Sequence, residues 1–248
     1  MTTTGQRLSA QDWDAWYTTG WPAVVTGKEA EAFHRTVKPH SGMTAVDLAC
    51  GNGKWTRQLA AWGVRVSGYD FSAEALRQAE STSRRDVPSY ARWDIDAEPI
   101  PPDLKPDSLD LVTCRHALPF LEHARVLTDV GRWLTPSGTF YALVRVTDDQ
   151  GSDEPPAGGS GAAQNDTGLK PFQRGFTKAQ FAGLGTGWAH RTTYRLSTRT
   201  AALVLRGYGN PGFETMAISP EPQGRNGRCS GRRDPRGTPS NRSTESNC

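Results

Sequence analysis

Val46-Asp47-Leu48-Ala49-Cys50-Gly51-Asn52-Gly53 is the stretch whose reading decides the fold. Ala45 to Cys50 is short, mostly apolar and bounded by turn residues, the pattern of a buried strand. Gly51-Asn52-Gly53 then makes a turn, and Lys54 to Trp62 reads as a helix closed by Gly63. A strand that runs through glycines into a helix presents unpaired N–H groups and the positive helix end to an anionic group. Glycine also lets the backbone come close to a ligand.

The same alternation continues outward. Val64 to Tyr69 reads as a second strand ending at Asp70, and Ser72 caps the next helix with Glu74 in its first turn. Pro88 precedes a third strand, Tyr90 to Trp93, which ends at Asp94. Leu109 to Thr113 is a fourth, Glu122 to Leu134 a helix broken by Pro136-Ser137-Gly138, and Phe140 to Val146 a fifth. Alternating strands and helices predict a parallel sheet with crossover helices. Thr192 to Leu196 and Ala201 to Leu205 stand too close for a helical crossover, so they predict an antiparallel hairpin. Gln11 to Trp21, Lys28 to Val37 and Thr177 to Leu184 read as further helices. Three acids, Asp47, Asp70 and Asp94, thus fall on or just after three successive strands. In nucleotide-binding sheets an acid after the second strand receives ribose hydroxyls.

With these residues in place the chain resembles the class I S-adenosylmethionine-dependent methyltransferases, over roughly Thr44 to Gly207. The resemblance implies an α/β Rossmann-like fold, a mostly parallel seven-stranded sheet with a C-terminal antiparallel hairpin, and S-adenosyl-L-methionine as cofactor. It puts Asp47, Ala49 and Gly51 at the methionine end, Asp70 at the ribose, and Asp94 and Ile95 at the adenine, with Gly53, Phe71 and Arg115 as further cofactor-binding residues. Many family members carry Gly where this chain has Ala49, which narrows the backbone freedom there. A nicotinamide-binding Rossmann reading needs a third glycine three residues after Gly53, where Thr56 stands instead.

At the reaction end, His116 is a candidate general base because its ordinary pKa is near neutrality. A histidine that only bonds the strand end is the alternative. Arg115 is a candidate for the cofactor pocket or for bidentate grip on a substrate carboxylate, against a salt bridge to a neighbouring acid. Trp13, Trp16 and Tyr17 share one helical face, and with Trp21 they make an aromatic candidate surface for the acceptor. Ordinary packing of that helix is the alternative. This opening run resembles that of small-molecule methyltransferases of the thiopurine and tellurite-resistance type.

Charge and composition narrow the partners. The tail from Ser219 to Cys248 holds six arginines and three acids, which accounts for the whole formal +3 of the 248-residue chain. The body is therefore neutral by count, without the basic face that nucleic-acid binding needs. The Asn/Asp-Pro-Pro-aromatic and Pro-Cys motifs of base-modifying enzymes are also absent. No run of about 18 apolar residues is present, and the first residues lack a signal-peptide core. The four cysteines form no metal-ligand spacing. The expectation is a cytoplasmic enzyme, monomer or homodimer, without metal, acting on a small-molecule acceptor that could be a secondary metabolite. Residues 1–42 would be a helical cap, 43–215 the catalytic domain and 216–248 a disordered basic tail. A peptide or protein methyltransferase docking through residues 147–168, and a non-catalytic cofactor-binding module, remain open.

Overall fold

The computed structural model describes residues 7–19, 24–83, 88–147 and 172–209. The expected tail, most of the 147–168 segment and Trp21 lie outside the described residues. The chain runs α1 (Ala10–Thr18), α2 (Gly27–Val37), β1 (Thr44–Leu48), α3 (Lys54–Ala61), β2 (Arg65–Asp70), α4 (Ala73–Thr82), β3 (Ser89–Arg92) and β4 (Leu109–Arg115). After a single 3-10 turn at Leu118–Phe120 come α5 (His123–Trp133), β5 (Leu134–Thr147), β6 (Phe176–Thr177), α6 (Lys178–Gly183), β7 (Trp188–Arg195) and β8 (Thr200–Tyr208).

The sheet order is β3-β2-β1-β4-β5-β8-β7, with the two-residue β6 added beside β5. Strands β3, β2, β1, β4 and β5 pair in parallel, and β8 enters antiparallel between β5 and β7. This is the Rossmann-like methyltransferase topology that the sequence predicted, with β6 as the one addition. Pro136-Ser137-Gly138, expected to break the helix before it, lies instead within β5, which starts at Leu134 directly after α5. The register jumps from Leu109↔Leu134 to Leu111↔Thr139, so the proline and glycine sit in an irregularity inside β5.

Two apolar clusters cover the sheet. One gathers Phe33 of α2 and Trp55 of α3 on Tyr141 and Leu143 of β5. Phe33 lies edge-on to Trp55 at 4.8 Å and to Tyr141 at 4.7 Å between ring centroids, a preferred aromatic geometry. The other centres on Trp93, Val112, Trp133 and Phe140 beneath α5. Between them the central strands β1, β4, β5 and β8 are buried on both faces, while the edge strands β3 and β7 are not. The polar work is therefore left to the carboxyl edge of the strands.

Candidate active site

At that edge the three acids take different roles. Asp47, 1% exposed, accepts Thr113 Oγ1 and Thr56 Oγ1, each at 2.7 Å. Burial pushes its pKa up to about 6 against the pull of those two hydroxyls. Asp70 accepts the Gly51 amide at 2.8 Å on Oδ2 and the Ser72 amide at 2.9 Å on Oδ1. It too is pushed up to about 6, chiefly by burial, although three backbone amides oppose the shift. Asp94 turns inward on its own loop. Its Oδ1 accepts the amides of Asp96 at 3.1 Å and Ala97 at 3.2 Å, and it pairs with Arg7.

Backbone strain collects at the same place. Ala49 has φ 51° and His116 φ 60°, both left-handed without being glycine. They follow the ends of β1 and β4, which are neighbours in the sheet through Leu48↔Cys114. Left-handed backbone costs an L-residue about 1–2 kcal/mol, and strain of this kind gathers at sites where it serves a ligand. Alanine at position 49 thus keeps the conformation for which glycine is the easier residue.

A cleft of about 320 Å³ opens over this edge, bordered by Ala49, Asp70, Phe71, Asp94, Ile95 and His116 on the sheet side. Trp13, Trp16 and Tyr17 of α1, Phe120 and Phe172 close the opposite side. Trp13 packs edge-on to Phe120 at 5.2 Å and to Phe172 at 5.0 Å, and Trp16 stacks on Phe172 at 6.0 Å. A second cavity of about 50 Å³ lies against the glycine turn, bordered by Asp47, Gly51, Lys54, Trp55 and Arg115.

Helix α1 is capped at its start and tied to α4 from its middle and its C-terminal turn. Ser9 and Asp12 form a capping box at its start. Asp14 Oδ1 accepts Ser72 Oγ at 2.6 Å and the Glu74 amide at 3.0 Å, so the helix is latched to the N-terminus of α4. Gln78 Nε2 donates to the Tyr17 carbonyl at 3.0 Å.

Several expectations change here. Tyr17 does not belong to the acceptor wall alone: its phenol sits over Gly51 and borders both cavities. Gly53 borders neither cavity. It starts α3 at φ 71°, and a side chain there would strike Tyr90. The Nε and Nη2 edge of Arg115 is bound by Glu29, at 2.5 Å and 2.8 Å, so that fork does not grip a substrate carboxylate. His116 is neutral, because burial and then the charge of Arg115 push its pKa down to about 4.

Trp93, which the sequence places only at the end of a strand, also borders the cleft, its buried Nε1 lacking an acceptor. Sequence reasoning missed Phe120, whose place four residues after His116 was the available signal. Glu29 gave none. Its partner is 86 positions away.

The geometry fits S-adenosylmethionine. Asp70 keeps lone pairs beyond the two amides it accepts, its burial favours added donors, and Gly51 carries no Cβ where the Tyr17 phenol approaches the turn. Among the described residues no helix is long and apolar enough to cross a membrane, and no three potential metal ligands cluster.

Residues 46–142 match the family model described as a methyltransferase domain. The chain is 35% identical over 105 residues to the ubiquinone biosynthesis O-methyltransferase of Methylococcus capsulatus, covering 41% of this chain and 43% of that protein. It thus spans less than half the length of the curated relatives it matches. Among solved structures it is similar to phosphoethanolamine N-methyltransferase 2 of Haemonchus contortus in complex with S-adenosyl-L-methionine (TM-score 0.56, 13% identity, 80% of this chain and 56% of that one). It is also similar to geranyl diphosphate C-methyltransferase of Streptomyces coelicolor A3(2), in complex with S-adenosyl-L-homocysteine (TM-score 0.55, 11% identity, 72% and 78%). Those two likenesses concern the fold.

Proposed function

With residues 46–142 a methyltransferase domain and S-adenosylmethionine its cofactor, we propose that the protein transfers a methyl group to a hydroxyl oxygen of a small, largely apolar organic molecule. The observation that carries this reading is one cleft with two unlike walls. The buried acid Asp70 and the partly buried Asp94 stand on the sheet side, and an aromatic wall of Trp13, Trp16, Phe120 and Phe172 stands opposite. Neutral His116 borders the same space.

The cofactor supplies an activated methyl group on a positively charged sulfur, so the chain has little bond chemistry of its own to do. It must align, dry the site and take a proton. Asp70 holds ribose hydroxyls, and Asp47 holds the amino group of the methionine end. Asp94 and Ile95 would receive the adenine, and Trp93 and Phe71 border the same cleft. The aromatic wall excludes water and fixes a flat or greasy acceptor. His116, already neutral, accepts the hydroxyl proton through a ring nitrogen as the oxygen gains the methyl group. Helices α1 and α2 act as the cap of this domain.

The relatives named as O-methyltransferases support oxygen as the acceptor atom. The fold does not decide it, since an N- and a C-methyltransferase share it. Calorimetry with S-adenosylhomocysteine, followed by a panel of phenols, hydroxy acids and amines with labelled cofactor, tests the reading. Binding together with labelled hydroxyl products is expected. No binding of the homocysteine product by the wild-type protein overturns it.

A further inference from the structure

Glu29 is 3% exposed, an acid buried on α2 with no part in the acid triad of the strand ends. Its two carboxylate oxygens receive Nε of Arg115 at 2.5 Å and Nη2 at 2.8 Å, a bidentate pair in which both side chains are more than nine-tenths buried. Arg115 Nη2 also reaches the Val24 carbonyl at 3.4 Å, and the guanidinium lies over the Trp55 ring at 5.0 Å. One edge and one face of the guanidinium are thereby fixed. Nη1 makes no hydrogen bond among the described residues, and Arg115 borders both the main cleft and the small cavity at the glycine turn. A buried ion pair is a poor means of gaining stability, because desolvation consumes most of the attraction. Its place beside a cavity calls for another use.

That cavity holds the other half of an amino-acid recognition site. Asp47 borders it with a buried carboxylate that suits an ammonium group. Trp55 borders it as well, and its buried Nε1 has no acceptor. An acid on one side and an oriented guanidinium on the other match an α-amino acid, which carries both charges on one carbon.

We propose that Glu29 is a positioning residue that holds Arg115 so that Nη1 receives the carboxylate of the cofactor's methionine end. The proposal rests on the methyltransferase reading above and adds to it the grip on one end of the cofactor. Glu29 serves three purposes. It neutralises the arginine charge while the cavity is empty, it fixes the plane of the fork, and it leaves a single donor edge toward the ligand. The ligand end brings one positive and one negative group, which face Asp47 and Arg115, and Glu29 stays paired with the arginine.

The test compares two ligands by calorimetry, S-adenosylhomocysteine and its decarboxylated analogue 5′-(3-aminopropylthio)adenosine, which keeps the amine and lacks only the carboxylate. Wild type should prefer the carboxylate ligand about tenfold or more, the scale of a charge-assisted hydrogen bond. Glu29→Gln should lose most of that preference while binding the analogue nearly as well as wild type, and Glu29→Asp should restore part of it. If Glu29→Gln does not fold, Glu29→Asp alone reads the positioning role, by a partial loss of the preference, and Arg115→Lys reads the carboxylate grip, by its full loss. Equal wild-type affinity for both ligands overturns the carboxylate site. An equal loss for both ligands in the variants overturns the positioning role and leaves a structural one. Binding of neither ligand by wild type is a different failure, that of the cofactor reading itself.

Discussion

The phenol oxygen of Tyr17 occupies the space that a Cβ on Gly51 would need. The aromatic helix α1 is thus seated directly on the glycine turn that the sheet offers to the cofactor. Burial, and then the charges of Asp70, Cys50 and Asp47, push the Tyr17 hydroxyl well above its ordinary value, so it stays a neutral phenol. Access to the turn and the position of α1 are one variable.

Gly51→Ala should therefore fail for two separable reasons. The residue sits at φ 56°, where an L side chain costs about 1–2 kcal/mol, and its methyl group strikes Tyr17. Thermal unfolding should show destabilisation of roughly 2 kcal/mol or more, together with weakened binding of S-adenosylhomocysteine. Adding Tyr17→Ala removes the collision and leaves the strain. The double variant should be more stable than the sum of the single effects implies. Strict additivity would show that the two residues do not compete for that space.

Asp70 and Asp47 give cofactor binding a pH dependence of known sign. Both are raised to about 6 in the ligand-free fold, and hydroxyl or ammonium donors prefer the ionised carboxylate. Affinity for S-adenosylhomocysteine should rise with pH through about 6 and level off above 7. Stability of the free protein runs the other way for these two groups. Their folded values lie above the ordinary 3.8, so their contribution is fully present below that value and is lost as pH rises through about 6. Calorimetry from pH 5 to 8 checks the first statement. Asp70→Asn should flatten the binding curve and lower the plateau.

The elements and the acids were legible because they depend on local pattern. A strand run, a glycine turn and a helix leave their periods in the sequence, and an acid at a strand end needs no distant partner to be noticed. The uses of Gly53, Tyr17 and Arg115 were not legible, because each is set by a residue far along the chain. Gly53 yields space to Tyr90, Tyr17 descends on Gly51, and Arg115 answers Glu29 across 86 positions. No local propensity encodes such meetings. The left-handed backbone at Ala49 and His116 was hidden for a related reason. Alanine does not ask for that conformation, and histidine, though it tolerates it better than most residues, adopts it too seldom for the sequence to announce it.

His116 should act as a base without an inflection near its ordinary pKa. Burial, with the Arg115 charge beside it, lowers it to about 4, so the neutral form already prevails at pH 6. The rate should be nearly flat in His116 ionisation between about pH 5 and 8. His116→Asn, which tolerates the left-handed backbone, should lower kcat by roughly a hundredfold with little change in cofactor affinity. The depressed value also fixes an acid liability. The unfolded chain binds more protons than the fold between about 4 and 6.5, so this contribution is present above 6.5 and lost as pH falls through 4. Its size is up to about 3 kcal/mol, reduced by the solvent that reaches the partly exposed ring. Denaturant unfolding at pH 4.5 and 7.5 should show His116→Asn closing part of the gap between the two conditions. An unchanged gap in the variant would remove His116 from the acid response.

Asp14 is the latch of the cap, and its loss should be felt more in rates than in the global fold. One carboxylate oxygen takes Ser72 Oγ and the Glu74 amide, while Asp70 takes the Ser72 amide on the other side of the same residue. Asp70, which we assign to the ribose, and helix α1 thus meet at Ser72. Removing a capping acceptor of this kind costs about 1 kcal/mol. Because α1 has no fully buried residue of its own, that loss should fall on local opening of the helix and not on the sheet. Asp14→Ala should speed amide hydrogen exchange in residues 10–18 severalfold while β1, β4 and β5 keep their protection. S-adenosylhomocysteine should dissociate faster in stopped-flow measurements with a smaller change in association. Asp14→Asn, which keeps one acceptor oxygen, should lie between the two. If α1 exchanged no faster in Asp14→Ala, the helix would be held by its aromatic contacts alone and the latch would have no part in releasing the product.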